Sequence, residues 1–276
     1  MTGNGDGRLK MFRTVASYAP YLLRPLIWPE LGRLFARRVS LRLSGKRTDL
    51  AAKEAARREA EAWCAALSVD AGEALRRLGF NLPLVDVEER FTAEMAAARE
   101  RAATCPMKLG GAGNLDLLFS LCEALGAVRV VETGVAYGWS SLVILLSLGN
   151  RPGARLFSVD LPYMKYRNDR WVGVVVPDEL RPAWKLYRMA DREGLPLSLW
   201  AAGRIDLAHY DSDKSVKGRM FAYHRMWRAL RPGGVLVSDD VEDNMGFRDF
   251  CAEIGLDPVV VRQDKKYQGL LVKPDA

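Results

Sequence analysis

The sequence predicts an α/β fold: a doubly wound, mostly parallel sheet of about seven strands with an antiparallel last strand, preceded by a helical N-terminal extension. Three observations predict it. From Leu109 to the C-terminus, short apolar runs alternate with amphipathic stretches, the pattern of strand–helix–strand units. The run Val130-Val131-Glu132-Thr133-Gly134-Val135-Ala136-Tyr137-Gly138-Trp139-Ser140-Ser141 reads as a buried strand, a tight glycine turn and a helix start. Open sheets bind ligands at such junctions. The last two apolar runs are joined by a polar turn with no helix between them, so the final strand must run backwards.

In order, the chain opens on a glycine-rich polar stretch, residues 1–10, expected to be disordered. Tyr18, Tyr21, Leu22, Leu23, Leu26, Ile27, Trp28, Leu31, Leu34 and Phe35 then interleave with Arg24, Arg33, Arg37 and Arg38. Pro20, Pro25 and Pro29 divide this stretch into two short helices, the second from Pro29 or Glu30. Its basic aromatic character over residues 11–47 suits core packing or a homodimer contact, or peripheral contact with an anionic membrane. Thr48 or Asp49 can cap a helix running to Leu67. Helices follow at Ala71–Leu78, closed by Gly79, and at Val87–Ala103. Residues 1–108 are thus a basic helical extension, and 109–276 the sheet-bearing domain.

In that domain a helix at Leu115–Leu125 precedes a strand at Val128–Thr133 and a helix at Trp139–Ser147. Strands are expected at Arg155–Asp160, Lys185–Met189, Ile205–Tyr210 and Val235–Ser238. Helices fall at Ser215–Leu230 and Met245–Ile254. The closing hairpin is Pro258–Arg262 and Gly269–Val272, turning at Gln263-Asp264-Lys265-Lys266.

Composition narrows the function. The 276 residues are 49% apolar and 27% charged, ordinary for a globular chain. No apolar run of about 18 residues predicts a membrane span, and no basic-then-apolar leader is recognisable, so a cytoplasmic location is expected. Cys64, Cys105, Cys122 and Cys251 lack ligand spacing and read as reduced residues. The net charge of +7 is uneven: residues 1–60 hold 13 Lys/Arg against 5 Asp/Glu, the remainder 28 against 29. A catalytic part without basic excess argues against a nucleic-acid partner. No Ser-His-Asp arrangement, zinc spacing or paired glycosidase-like acids compete.

The glycines Gly134 and Gly138 do not make a dinucleotide fingerprint, and no Gly-Lys-Ser/Thr follows to make a P-loop. Glu132 beside them repels phosphate and suits an ammonium or sulfonium ligand. Asp160, at the end of the next strand, can accept both hydroxyls of a ribose or can serve as a turn residue before Leu161-Pro162.

Glu132-x-Gly134-x-x-x-Gly138-x-Ser140, Asp160 and Leu230-Arg231-Pro232-Gly233-Gly234 together resemble the class I S-adenosylmethionine-dependent methyltransferases, over Leu109 to the C-terminus. The resemblance implies a Rossmann-like domain binding S-adenosyl-L-methionine. Glu132, Gly134, Tyr137, Gly138 and Ser140 would surround its amino acid portion, Asp160 its ribose, and Asp191 its adenine. In this fold the strands ending at Tyr210 and Ser238 are neighbours, so Asp211, Asp239 and Asp240 can converge. Carboxylates that close repel unless a cation such as Mg²⁺ sits between them. Here the chain resembles the metal-dependent O-methyltransferases of the catechol and macrocin-type sugar classes. Their pattern implies Asp211, Asp239 and Asp240 as ligands of Mg²⁺ or another divalent cation. Asp213 (sugar type) or Lys214 (catechol type) would be the base. The expected acceptor is a small-molecule hydroxyl, of a sugar or glycolipid before a phenol. A metal-independent transferase with acids that only cap helices, and a non-catalytic binding module, stay open. His209 reads as a packed or adenine-side residue and His224 as structural.

Overall fold

A computed structural model describes residues 25, 28–33, 36, 50–149, 151–162 and 169–275. The expected cap at Thr48 or Asp49, and most of the basic aromatic segment, lie outside them. Residues 28–33 are helical. The elements are α1 (Leu50–Leu67), β1 (Ser68–Val69), α2 (Ala71–Arg77), α3 (Val87–Arg90), α4 (Thr92–Ala103) and α5 (Leu115–Ala124). There follow β2 (Arg129–Thr133), α6 (Trp139–Leu148), β3 (Arg155–Val159), β4 (Trp184–Tyr187), α7 (Asp191–Ala202) and β5 (Ile205–Tyr210). The chain ends with α8 (Val216–Ala229), β6 (Leu230–Ser238), α9 (Gly246–Ile254), β7 (Val259–Gln263) and β8 (Lys266–Val272).

Helix starts follow their side chains. Asp70 accepts the Glu73 N–H at 2.7 Å, Asn114 that of Leu117 at 3.1 Å, and Ser215 that of Gly218 at 3.0 Å. The single helix expected at Val87–Ala103 is two, because Phe91 leaves helical backbone at φ −126°, ψ 44° and turns its ring onto Phe119.

The strands form one eight-stranded sheet in the order β1-β7-β8-β6-β5-β2-β3-β4. All neighbours are parallel except β8, which is antiparallel to both β6 and β7. The eighth strand is β1, two residues from the N-terminal helical region that pair with Val260 and Val261. That region is also built into the core: Leu75, Val87, Met95 and Ala98 pack in one buried cluster with Leu117, Leu142 and Val235. Every residue of β5 is buried, as a central strand covered on both faces requires.

Asp206 fastens the strand starts opposite the ligand edge. Buried in β5, it accepts the Val128 and Arg129 N–H groups at 2.8 Å each and the Arg231 side chain at 2.6 Å. Arg231 also donates to the Leu125 carbonyl at 3.2 Å, so the arginine of Leu230-Arg231-Pro232-Gly233-Gly234 serves register rather than catalysis. Replacing Asp206 with Ala strands two N–H groups and a guanidinium. We expect urea unfolding to show a loss of about 2–4 kcal/mol; a loss below about 1 kcal/mol would contradict this role for Asp206.

Candidate active site

At the carboxyl edge of the sheet the chain turns sharply after β2. Gly134 has φ 82°, and a β-carbon there would lie 1.9 Å from the Asp211 carbonyl oxygen, so only glycine lets the turn pass under the end of β5. The Val135 and Ala136 N–H groups donate to Asp160 Oδ2 at 2.8 and 3.0 Å. Asp160's other oxygen is paired with Arg188, which reaches Asp169 at 3.1 Å. The carboxylate expected to hold a ribose is therefore buried beneath the turn with both oxygens engaged. Gly138, at φ 93°, starts α6 against Gly173, where a β-carbon would come within 2.9 Å of the Gly173 Cα. Tyr137 donates to the Met107 carbonyl at 2.8 Å.

Glu132 is fully buried and serves as an acceptor for three hydroxyls: Ser140 at 2.9 Å, Ser158 at 2.6 Å, and Ser141. Sheet register sets it opposite His209 of β5. The imidazole lies 3.8 Å from Glu132 through Nδ1 and 3.4 Å from Asp239 through Nε2. Neither ring nitrogen makes a hydrogen bond of good geometry. Burial opposes the charged ring, but Asp239 and Glu132 outweigh it and lift its pKa from 6.5 to about 10. The same charge holds Asp239 below the usual carboxylate range against its own burial. Asp239 also accepts the Gln268 amide at 2.6 Å.

The other acids are neutralised by lysines. Lys214 Nζ contacts Asp211 Oδ1 and lies 2.5 Å from Asp240 Oδ2. Lys266 reaches Asp240 Oδ1 at 2.6 Å. Burial would lower the Lys214 pKa, yet Asp211 and Asp240 raise it further above the ordinary lysine value. Burial and Asp239 raise Asp211. Asp240 is left-handed at φ 52°, held by the fully buried Arg219, which donates to the Asp240 and Asp239 carbonyls at 2.6 and 3.2 Å. Among the described residues no group of three His, Cys, Asp or Glu side chains is arranged to hold a metal ion.

Some of these groups, with Gly111, Gly113, Asn114, Leu115 and Leu118, line a cleft. Of the sequence-predicted residues, Gly134, Ser140, Asp211 and Asp239 line it. Glu132, Tyr137, Gly138, Asp160, Asp191, Lys214 and Asp240 stand outside its lining. Asp213 is exposed and turns instead onto the chain ahead of α8, accepting the N–H of the cap residue Ser215 at 2.9 Å. Asp191 accepts the Ser212 hydroxyl, and burial pushes its pKa to about 6. Sequence reasoning underweighted His209 and missed Gln268, both in the lining. A polar residue inside an otherwise buried strand was the available signal in each case.

Comparison with known proteins agrees with this geometry. Residues 131–241 match a family described as a methyltransferase domain. An O-methyltransferase from Bacillus cereus, solved with SAH, superposes with TM-score 0.50 at 17% identity, covering 68% of this chain and 95% of that one. A putative caffeoyl-CoA O-methyltransferase from Staphylococcus aureus gives 0.52 at 13% identity, covering 68% and 97%. Cofactor-bound Rv0187 from MTB gives 0.51 at 18%, covering 75% and 100%. No curated protein matches the sequence.

Because the folded pKa of His209 is raised, the folded chain keeps a proton that the unfolded chain sheds above about 6.5. The resulting stabilisation is complete below that pH and disappears as pH climbs through about 10. Unfolding free energy should therefore fall across this window more steeply in the native protein than in a His209→Gln variant. Parallel curves would mean that the ring is neutral. Separately, Asp160→Asn, which weakens the hold on the turn, should lower the urea-unfolding free energy by about 1–3 kcal/mol.

Proposed function

We propose that residues 131–241, which match a family described as a methyltransferase domain, form a class I S-adenosylmethionine-dependent methyltransferase domain, and that the chain methylates a hydroxyl oxygen of a small molecule. The observation that carries this reading is the meeting, in one cleft, of the Gly134–Ser140 turn with the carboxylates Asp211 and Asp239. The turn lines the cleft with Gly134, Val135, Ala136 and the Ser140 hydroxyl, and the acidic surroundings suit a sulfonium. Bound S-adenosylmethionine supplies an electrophilic methyl group. This chain's residues must then hold an acceptor oxygen in line with it and take the hydroxyl proton, and positioning supplies much of the rate in such a transfer. O-methylation is favoured by the likeness in fold to the Bacillus cereus O-methyltransferase and to the putative caffeoyl-CoA O-methyltransferase from Staphylococcus aureus.

Asp211 is the best-placed proton acceptor. It lines the cleft beside Gly134, Lys214 contacts only its Oδ1, and burial raises its basicity. Lys214, held protonated by two carboxylates, is poorly suited to act as the base and instead steadies negative charge near Asp211. Asp213 is engaged with the Ser215 N–H, outside the cleft lining. Asp239 and Gln268, on the far side, can orient the acceptor. Two carboxylates, the Asn114 and Gln268 amides and, beside the His209 imidazole, the one ring of Trp139 suit a sugar hydroxyl better than a flat phenol.

The expected Mg²⁺ site does not fit this arrangement. The cation between Asp211 and Asp240 is the Lys214 ammonium, and Asp240 is turned onto Lys266 as well. The proposed transfer uses the lysine's charge. Methyl transfer from labelled S-adenosylmethionine to an acceptor panel of sugars and phenols should proceed unchanged in excess EDTA. Activity abolished by EDTA and restored by Mg²⁺ would sink the lysine reading and reinstate the metal. In the same assay Asp211→Asn and Lys214→Met should each lower kcat by about 10²-fold, with Asp213→Asn within about threefold of the native chain.

A further inference from the structure

We propose that Arg101, on helix α4, is a positioning residue for the Gly134–Ser140 turn and acts through the short segment 172–176. The inference rests on the reading of that turn as the site of S-adenosylmethionine. The turn needs support from outside itself. Ala136, which lines the cleft, stands in left-handed backbone at φ 50°. A residue with a β-carbon keeps that conformation only where its surroundings impose it. Asp160 accepts its N–H, and the Gly173 N–H donates to its carbonyl at 2.9 Å. The Val175 N–H then donates to the Tyr137 carbonyl at 3.1 Å. Segment 172–176 therefore holds two successive carbonyls of the turn.

Two arginines hold the segment in turn. It belongs to neither a helix nor a strand, and Val172, Gly173, Val175 and Val176 are buried, so its carbonyls need side-chain donors. Arg181 serves the Gly173 and Val176 carbonyls at 3.2 and 3.1 Å. It lies five residues past Val176, which makes this a local closure. Arg101 lies 74 residues before Val175 and gives the Val175 carbonyl two bonds, from Nε at 3.1 Å and Nη2 at 2.8 Å. Met95 and Ala98 root α4 in the core, so the guanidinium reaches the segment from a fixed base. Hydrogen bonds from an ionised donor are the stronger kind. A second path leads back to the same turn. Gly173 lies so close to Trp184 that a β-carbon would strike the ring. The Trp184 indole donates to the Ser158 hydroxyl at 2.7 Å, and that hydroxyl donates to Glu132 at 2.6 Å. Glu132 also accepts the hydroxyl of Ser140, a residue of the cleft lining. Arg101 is itself outside the lining, so its effect on a bound ligand passes through the segment.

The test compares the native chain with Arg101→Met and Arg101→Lys, well below the unfolding transition. Hydrogen exchange is read without ligand, and S-adenosylmethionine affinity by calorimetry. In Arg101→Met, exchange at residues 134–138 and 173–176 should quicken about tenfold or more, while the β7–β8 hairpin exchanges as in the native chain. The Kd for S-adenosylmethionine should rise about tenfold. Arg101→Lys keeps a charged donor and should recover most of both losses. The milder Arg101→Gln gives the same comparison should Arg101→Met fold poorly. Native exchange at 134–138 in Arg101→Met would overturn the proposal. So would faster exchange there with an unchanged Kd, the result of a merely structural role. A native chain without affinity for S-adenosylmethionine would instead overturn the reading of the turn, and the exchange comparison would still decide whether Arg101 holds it.

Discussion

An imidazole enclosed between two carboxylates joins the two halves of the site. His209 stands on the middle strand of three; Glu132 lies on one side and Asp239 at the end of the other. Each of these charges alone would be prohibitively costly in the interior, and together they compensate. The arrangement couples two regions by charge. Glu132 organises Ser140 and Ser141 at the start of α6, while Asp239 fixes Gln268 on β8. The Gly134–Ser140 turn and the Asp239–Gln268 wall are therefore held in one register through His209.

The acceptor wall repeats this economy at its rim. Asp240 sits in left-handed backbone and carries a carboxylate beside two others, a conformation and a charge that both need support. Arg219 supplies the first by binding the carbonyls of Asp239 and Asp240, and Lys214 and Lys266 supply the second. Arg219 is itself anchored to Tyr223 and Ser238 inside the core, so the rim's shape is set from below. With Asp160 doing the same for the Gly134–Ser140 turn, both walls of the cleft rest on buried polar contacts.

Much of this was legible in the sequence, because the relevant signals are local. Strand, glycine turn and helix start are contiguous at Val130–Ser141. The alternation after Leu109 yields the parallel order, and the helix-free hairpin yields the reversed β8. What was not legible depends on register and on competition for partners. That Glu132 faces His209 follows only once β2 and β5 are paired at a particular offset. That Asp160 is consumed by two N–H groups and Arg188, and Asp213 by the Ser215 N–H, is a choice among partners that spacing does not encode. Gln268 arrives from the far end of the chain through the β7–β8 hairpin. The strand β1 is too short to leave any periodic trace.

That short strand alters the meaning of the N-terminal region. Ser68 and Val69 pair with Val260 and Val261 along the flank of β7 that would otherwise present unpaired N–H and C=O groups to passing chains. Two residues are enough to occupy the middle of a five-residue strand and too few to offer a long ladder of their own. Helices around them carry the chain on into the shared core at Leu75 and Met95. Cutting the chain between the helical region and the sheet would thus not release a tidy catalytic module. It would uncover a sticky seam, and with it a route to self-association that the intact chain keeps shut.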